Sequence, residues 1–189
     1  MKAAELVGKK TVIVGEAGAG KTKLLAEFLR EFLPLFGRCK ITVIDLAPEK
    51  IAGIGGPLNI HLDLSGFHYL RPEIVYAPRL MACNAEDVLR YAKHNAEQAR
   101  KLFEIYLQGP TEVLAVNDLT IYLHAGEVEE IIDIARRANT FVATAYQGER
   151  LSEDFGTGIS MRERQKLEKF LEHVDNVIRL NSEKTQQIP

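Results

Sequence analysis

Residues 10–22 read Lys10-Thr-Val-Ile-Val-Gly15-Glu-Ala-Gly-Ala-Gly-Lys-Thr22. Lys10–Gly15 is short, apolar and β-branched, the pattern of a strand buried on both faces. Gly15–Gly20 is a glycine-rich turn. From Lys21 onward, Leu24, Leu25, Phe28, Leu29 and Phe32 fall at helical spacing, so a helix is expected over Lys21–Phe36. Pro34 and Gly37 mark its end.

The turn matches G-x-x-x-x-G-K-[ST] in full, and it sits where that pattern has meaning, between a strand and a helix. Gly15, Gly18 and Gly20 are expected to supply backbone angles that turn successive N–H groups inward. The helix N-terminus adds partial positive charge. Lys21 has the reach to hold β- and γ-phosphates, and the Thr22 hydroxyl suits Mg²⁺. The nucleotide-binding set is therefore Gly15, Glu16, Ala17, Gly18, Ala19, Gly20, Lys21 and Thr22. Its expected cofactors are ATP and Mg²⁺, adenine being preferred because no N-K-x-D guanine-reading tetrapeptide occurs.

Further along the chain, Lys40–Leu46 reads as a second buried strand and Ala47–Gly56 as a loop. Asn59–Leu64 and Glu73–Ala77 are expected as short strands. Asn84 with Asp87 signals a helix N-terminus, and that helix should run to about Leu107, before Gly109-Pro110. Glu112–Asn117, Thr140–Tyr146 and Asn176–Leu180 read as strands. Glu127–Arg137 reads as a helix, and Ser160 with Glu163 as the capping box of another, ending near His173. Alternation of strand and helix implies an α/β fold, three layers with a mainly parallel β-sheet flanked by helices. The expected organisation is one domain over residues 1–180 and a polar tail over 181–189.

The chain has 189 residues, enough for one well-packed domain, and a net charge of -2 that gives no support to nucleic acid as a partner. Cys39 and Cys83 are far apart and belong to no Cys/His cluster, so both are expected to be reduced and partly buried. The first residues lack a leader-like apolar run, and no stretch approaches about 18 apolar residues. A cytoplasmic protein without a membrane span is expected.

A phosphate loop needs a carboxylate near Mg²⁺, and three strand-end or loop acids qualify: Asp45, Asp63 in Asp63-Leu-Ser-Gly66, and Asp118. Around Asp118, the segment from Val113 to Gly148 resembles the Walker B half of RecA-like P-loop ATPases. That division places one strand between the Walker A and Walker B strands, and its usual Asp-Glu pair orders metal and activates water. Here the pair is Asn117-Asp118. The resemblance aligns Asp118 with the water-activating residue; a one-residue shift makes it the metal-ordering one. It also gives Gln147, at the end of the next strand, as a γ-phosphate sensor. The catalytic set it implies is Lys21, Asp118 and Gln147. Asp45 has an analogue in MinD-like proteins and polynucleotide kinases, where the acid ending the strand after the first helix serves the metal. The metal set is thus Thr22, Asp118 and Asp45. It requires the Asp45 strand to lie beside the phosphate-loop strand if Asp45 is the one that serves.

Three functions stay open on this reading. One is a Mg-dependent ATPase, slowed by the shorter acid, that drives a protein partner or a homo-oligomer. Another is a transferase: Asp118-Leu-Thr-Ile-Tyr-Leu-His-Ala-Gly126 resembles a segment of P-loop corrinoid adenosyltransferases, and kinases share the class. The third is a regulatory module that binds ATP with little turnover. Lesser features are Arg150 as an arginine finger, Phe67, His68 and Tyr69 as base contacts, and Arg162, Arg164, Lys166 and Lys169 as a basic strip diluted by glutamates. Glu16 is expected to face solvent.

Overall fold

The computed structural model describes residues 2–51 and 54–180. Six strands form one parallel sheet: β1 Lys10–Gly15, β2 Ile41–Asp45, β3 His68–Leu70, β4 Val113–Asn117, β5 Thr140–Tyr146 and β6 Asn176–Leu180. Their order is β3-β2-β4-β5-β1-β6. The helices are α1 Lys21–Phe36, α2 Pro78–Met81, α3 Ala85–Gln108, α4 Leu119–Leu123, α5 Val128–Arg137 and α6 Ile159–Leu171.

Alternation along the strands builds both cores. Val12, Val14, Ile44, Leu114, Val116, Phe141 and Ala143 face the side covered by α3, α5 and α6. Ile13, Ile41, Val43, Val113, Ala115 and Val142 face the other side, with Leu25, Phe28, Leu29 and Phe32 of α1. Burying each large apolar side chain contributes roughly 1.5–3 kcal/mol. The architecture is the three-layer α/β P-loop fold. β5 lies between β1 and β4, so the strand carrying Asn117-Asp118 is one place removed from the phosphate-loop strand.

Several local expectations are corrected. Asn59–Leu64 and Glu73–Ala77 are not strands. Leu58 and Leu62 are buried at a spacing of four, and the Leu62 N–H donates to the Leu58 carbonyl, a helical turn rather than a pleat. Tyr76 has its backbone N–H and carbonyl satisfied by the Asn95 side chain, which removes the need for a strand neighbour. The strand of this region is instead β3, three residues long and at one edge of the sheet. Pro34 lies inside α1, and Gly37, at φ 78°, ends it by donating to the Leu33 carbonyl. Ser160 is not an N-cap: Gly158 holds that place, and the Asp154 carboxylate accepts from the Ser160 N–H at 3.1 Å. Asn84 does cap α3, its side chain accepting from the Asp87 N–H. Cys39 and Cys83 are both exposed. The expected polar tail over 181–189 lies outside the described residues.

Candidate functional site

Parallel packing brings the C-terminal ends of β1, β5, β4 and β2 to one edge, where such folds open their ligand crevice. A cavity of about 300 Å³ lies there, at the lower end of small-molecule sites. The phosphate loop, with Ala17, Gly18, Gly20, Lys21 and Thr22, forms one wall. Asp118, Ile121, His124, Thr144 and Tyr146 form the floor. Ala47–Lys50, His61 and Ala77–Leu80 form the far wall.

The loop has the geometry its sequence predicts, with one change of reason. Gly18 and Gly20 take φ 79° and 87°, which only glycine adopts without strain. Gly15 is required for space instead: a Cβ there would lie 2.5 Å from the Leu180 carbonyl oxygen. The N–H groups of Gly18, Gly20, Lys21 and Thr22 find no acceptor among the described residues. The Lys21 ammonium donates to the carbonyls of Gly15 and Glu16 at 2.9 and 2.8 Å. Burial pulls it below the ordinary lysine range, against the pull of the Asp118 and Glu16 carboxylates. A cation and a row of free donors around one concavity fit a polyphosphate.

Asn117, Asp45 and Thr22 form one connected unit. The Thr22 hydroxyl donates to Asn117 Oδ1 at 3.2 Å, and the Thr144 hydroxyl donates to the same oxygen at 3.0 Å. Asn117 Nδ2 donates to Asp45 Oδ1 at 2.8 Å. The amide orientation follows from chemistry, because an ionised carboxylate only accepts. Asp45 is fully buried and also accepts from the Leu58 N–H and the Tyr69 hydroxyl, with Arg71 Nη1 at 3.6 Å. β2 is separated from β1 by β4 and β5, so the condition that would make Asp45 a neighbour of the phosphate-loop strand is not met. Asp45 is linked to Thr22 through Asn117.

Asp118 follows β4 at φ 58°, a left-handed conformation that aspartate tolerates better than most residues. Its N–H donates to the Thr144 hydroxyl, and its carboxylate accepts from the Thr120 hydroxyl at 2.6 Å. Burial pushes its carboxyl above the ordinary range, while the Thr120 hydroxyl and Lys21 hold it down. The Asp63 carboxylate is elsewhere, on the surface with Arg38 and Ser65. Gln147 donates its N–H to the Gly15 carbonyl, but it borders a small adjacent cavity of about 50 Å³ rather than the main one. Arg150 is exposed, Phe67 packs in the α1-side core, and neither they nor His68 and Tyr69 line the main cavity. On α6, Lys166 and Lys169 turn to the Gly126 carbonyl and Glu129.

Glu16 does not simply face solvent. Its carboxylate accepts from the N–H groups of Ala17, Glu149 and Arg150. Burial pushes it up, but those donors and the Tyr146 hydroxyl outweigh burial and leave it below the ordinary range. Gly148 allows this approach, since a Cβ there would meet the Glu16 carboxylate at 2.3 Å.

A further charged cluster adjoins the floor. Glu163 Oε2 lies 2.9 Å from Arg79 Nη2 and 2.5 Å from His124 Nε2, all three side chains being at least nine-tenths buried. The sequence carried one signal for it: Glu163 falls on the buried stripe of α6, with Ile159, Leu167 and Phe170. Among the described residues, no group of three or more His, Cys, Asp or Glu is placed to hold a metal by itself. The Thr22 hydroxyl suits a Mg²⁺ whose remaining ligands are phosphate oxygens and water.

No protein-family model matches the chain, and no curated protein sequence does. Solved structures do. Flagellar accessory protein FlaH from Methanocaldococcus jannaschii aligns with TM-score 0.50 and 14% identity over 92% of this chain and 71% of its own. The likeness is one of fold. A Pyrococcus horikoshii OT3 protein known from a structural study aligns at TM-score 0.49 and 11% identity, over 96% of this chain and 89% of that one. Pif1 helicase from Candida albicans aligns at 0.42 and 15%, over 93% of this chain but 36% of that one. No described helix is long and apolar enough to cross a membrane.

Proposed function

We propose that this chain is an ATP-binding P-loop NTPase that hydrolyses MgATP slowly. The observation that carries the reading is the Lys21 ammonium held in the cavity wall beside loop N–H groups that have no acceptor among the described residues. Lys21 and the loop N–H groups bind and orient the phosphates. Thr22 would hold Mg²⁺, which when bound neutralises charge on the phosphate oxygens. Asn117 occupies the place of the usual metal-ordering acid and supplies a neutral oxygen to Thr22. Asp118, on the cavity floor, is the residue that would take a proton from water. Its side chain is one methylene shorter than the glutamate usual there, and it is already engaged by Thr120. Both features favour slow turnover. A protein partner or a second copy of the chain would set the biological output.

Phosphate release from MgATP, followed with purified protein, tests this. Wild type should turn over well below the enzyme median of ~10 s⁻¹. Asp118→Asn should lose at least about a hundredfold of that rate, the low end for a general base, and keep its MgATP affinity. Turnover unchanged by that substitution would remove Asp118 from the reaction. Triphosphate consumption matched by transfer to an added acceptor, with no phosphate released, would favour the transferase reading instead.

A further inference from the structure

We propose that Arg79 is the residue by which this site distinguishes a triphosphate from a diphosphate, with Glu163 as its resting counterion; this rests on the nucleotide reading above. Arg79 comes from α2, outside every phosphate-loop element, yet its side chain lines the main cavity and is 7% exposed. Its guanidinium carbon lies over the Tyr146 ring, 5.0 Å from the centroid. The Lys21 ammonium lies 5.8 Å from the same centroid. The two cations are therefore within about 11 Å of one another across a single ring.

Arg79, like Tyr146 and Leu151, lines both the main cavity and the small one that Gln147 and Glu163 border. A phosphate drawn to Lys21 offers Arg79 oxygens it can hydrogen-bond, where Glu163 Oε2 has no hydrogen-bond partner among the described residues. Guanidinium forks match phosphate oxygens well.

The resting pair is built so that the arginine can leave. Breaking a buried ion pair normally strands the partner charge at high cost. Here Glu163 Oε2 lies 2.9 Å from Arg79 Nη2 and 2.5 Å from His124 Nε2 without hydrogen-bond geometry to either among the described residues, so little directional bonding is lost when Arg79 moves and the imidazole stays beside the carboxylate. Both buried nitrogens of His124 lack a hydrogen-bond partner among the described residues, and His124 lines the main cavity, so this floor has polar capacity in reserve. Glu163 belongs to α6 and Arg79 to α2, so exchange of this contact carries the state of the terminal phosphate to two helices at once.

Calorimetric titration with MgADP and with the Mg complex of a non-hydrolysable β,γ-imido ATP analogue tests the proposal. Wild type should prefer the triphosphate. Arg79→Ala should lower that preference at least about tenfold, the effect of one lost charge-assisted hydrogen bond, and change MgADP affinity less than about twofold. If Arg79→Ala does not fold, Arg79→Lys keeps the charge without the fork and should lose part of the preference. Glu163→Gln, which frees the arginine, should keep or raise it. A triphosphate-to-diphosphate ratio within about twofold of wild type in the arginine variant would overturn the proposal, as would equal loss of both ligands. If wild type binds neither nucleotide, the nucleotide reading itself fails, an outcome distinct from a lost preference.

Discussion

Replacing Asn117 by aspartate, the residue that the resemblance to RecA-like P-loop ATPases leads one to expect there, should damage this protein. Asn117 Nδ2 is 2.8 Å from Asp45 Oδ1, and both residues are fully buried. Asn117→Asp sets two carboxylates against each other. With charge centres about 4 Å apart and an effective dielectric near 20, the repulsion is ~4 kcal/mol. Taking up a proton instead costs ~4 kcal/mol at pH 7 for a carboxyl with an ordinary pKa near 3.9. Arg71, at 3.6 Å from Asp45, offsets part of either cost, which leaves about 2–4 kcal/mol. For a chain of 189 residues each kcal/mol lowers Tm by roughly 2–4 °C. Asp45→Asn combined with Asn117→Asp re-forms the pair with donor and acceptor exchanged. The new amide oxygen at position 45 can still accept from the Leu58 N–H and the Tyr69 hydroxyl, the new NH2 gives up the 3.3 Å contact with the Ala47 N–H and the charge beside Arg71, and the carboxylate at position 117 accepts from Thr22 and Thr144. Thermal and urea denaturation of the two single variants and the double variant complete the cycle. The double variant should regain at least half of the stability lost by Asn117→Asp, and it should bind MgATP more tightly than wild type. An Asn117→Asp variant as stable as wild type, or additive losses in the double variant, would show that the two side chains do not pair as donor and acceptor.

Two further outcomes follow from particular contacts. Glu16→Ala removes the carboxylate that accepts from the Glu149 and Arg150 N–H groups, so trypsin should cut after Arg150 faster than in wild type; an unchanged rate would deny Glu16 its hold on that loop. The hydroxyl and N–H of Ser65, and then Arg38, hold the Asp63 carboxyl at about 2. A lowered folded pKa stabilises above the unfolded value near 3.8 and ceases to do so as pH falls through about 2. Wild type should therefore exceed Asp63→Asn in stability at about pH 5–7, with the gap closing between about pH 4 and 2; a gap independent of pH would contradict this.

The strand–turn–helix of the loop was legible because its signals are local: a strand, glycines at fixed offsets and a helix start lie within residues 10–22. The strands β1, β2, β4, β5 and β6 were legible for the same reason, being short apolar runs between clear breaks. The segment 57–77 was not. Outside the three-residue β3 its apolar residues pack in turns, and Asn95, on α3, supplies the hydrogen bonds that Tyr76 would otherwise seek in a strand. The Thr22–Asn117–Asp45 unit joins residues 95 and 72 positions apart, so it depends on strand order, which no local pattern states. Glu163 misled in an instructive way. Its spacing from Ser160 fits a capping box, but its position on the buried stripe of α6 decides its role, and that places it with Arg79 and His124.

Everything proposed for this site depends on Gly15–Thr22 holding a nucleoside triphosphate through Lys21. Calorimetric titration of wild type and Lys21→Ala with MgATP puts that to the test. Wild type should bind one nucleotide per chain. Lys21→Ala should bind at least about a hundredfold more weakly, since at least one strong charge-assisted hydrogen bond to phosphate is lost together with the buried charge. Equal affinities for the two proteins would mean that Lys21 holds no phosphate.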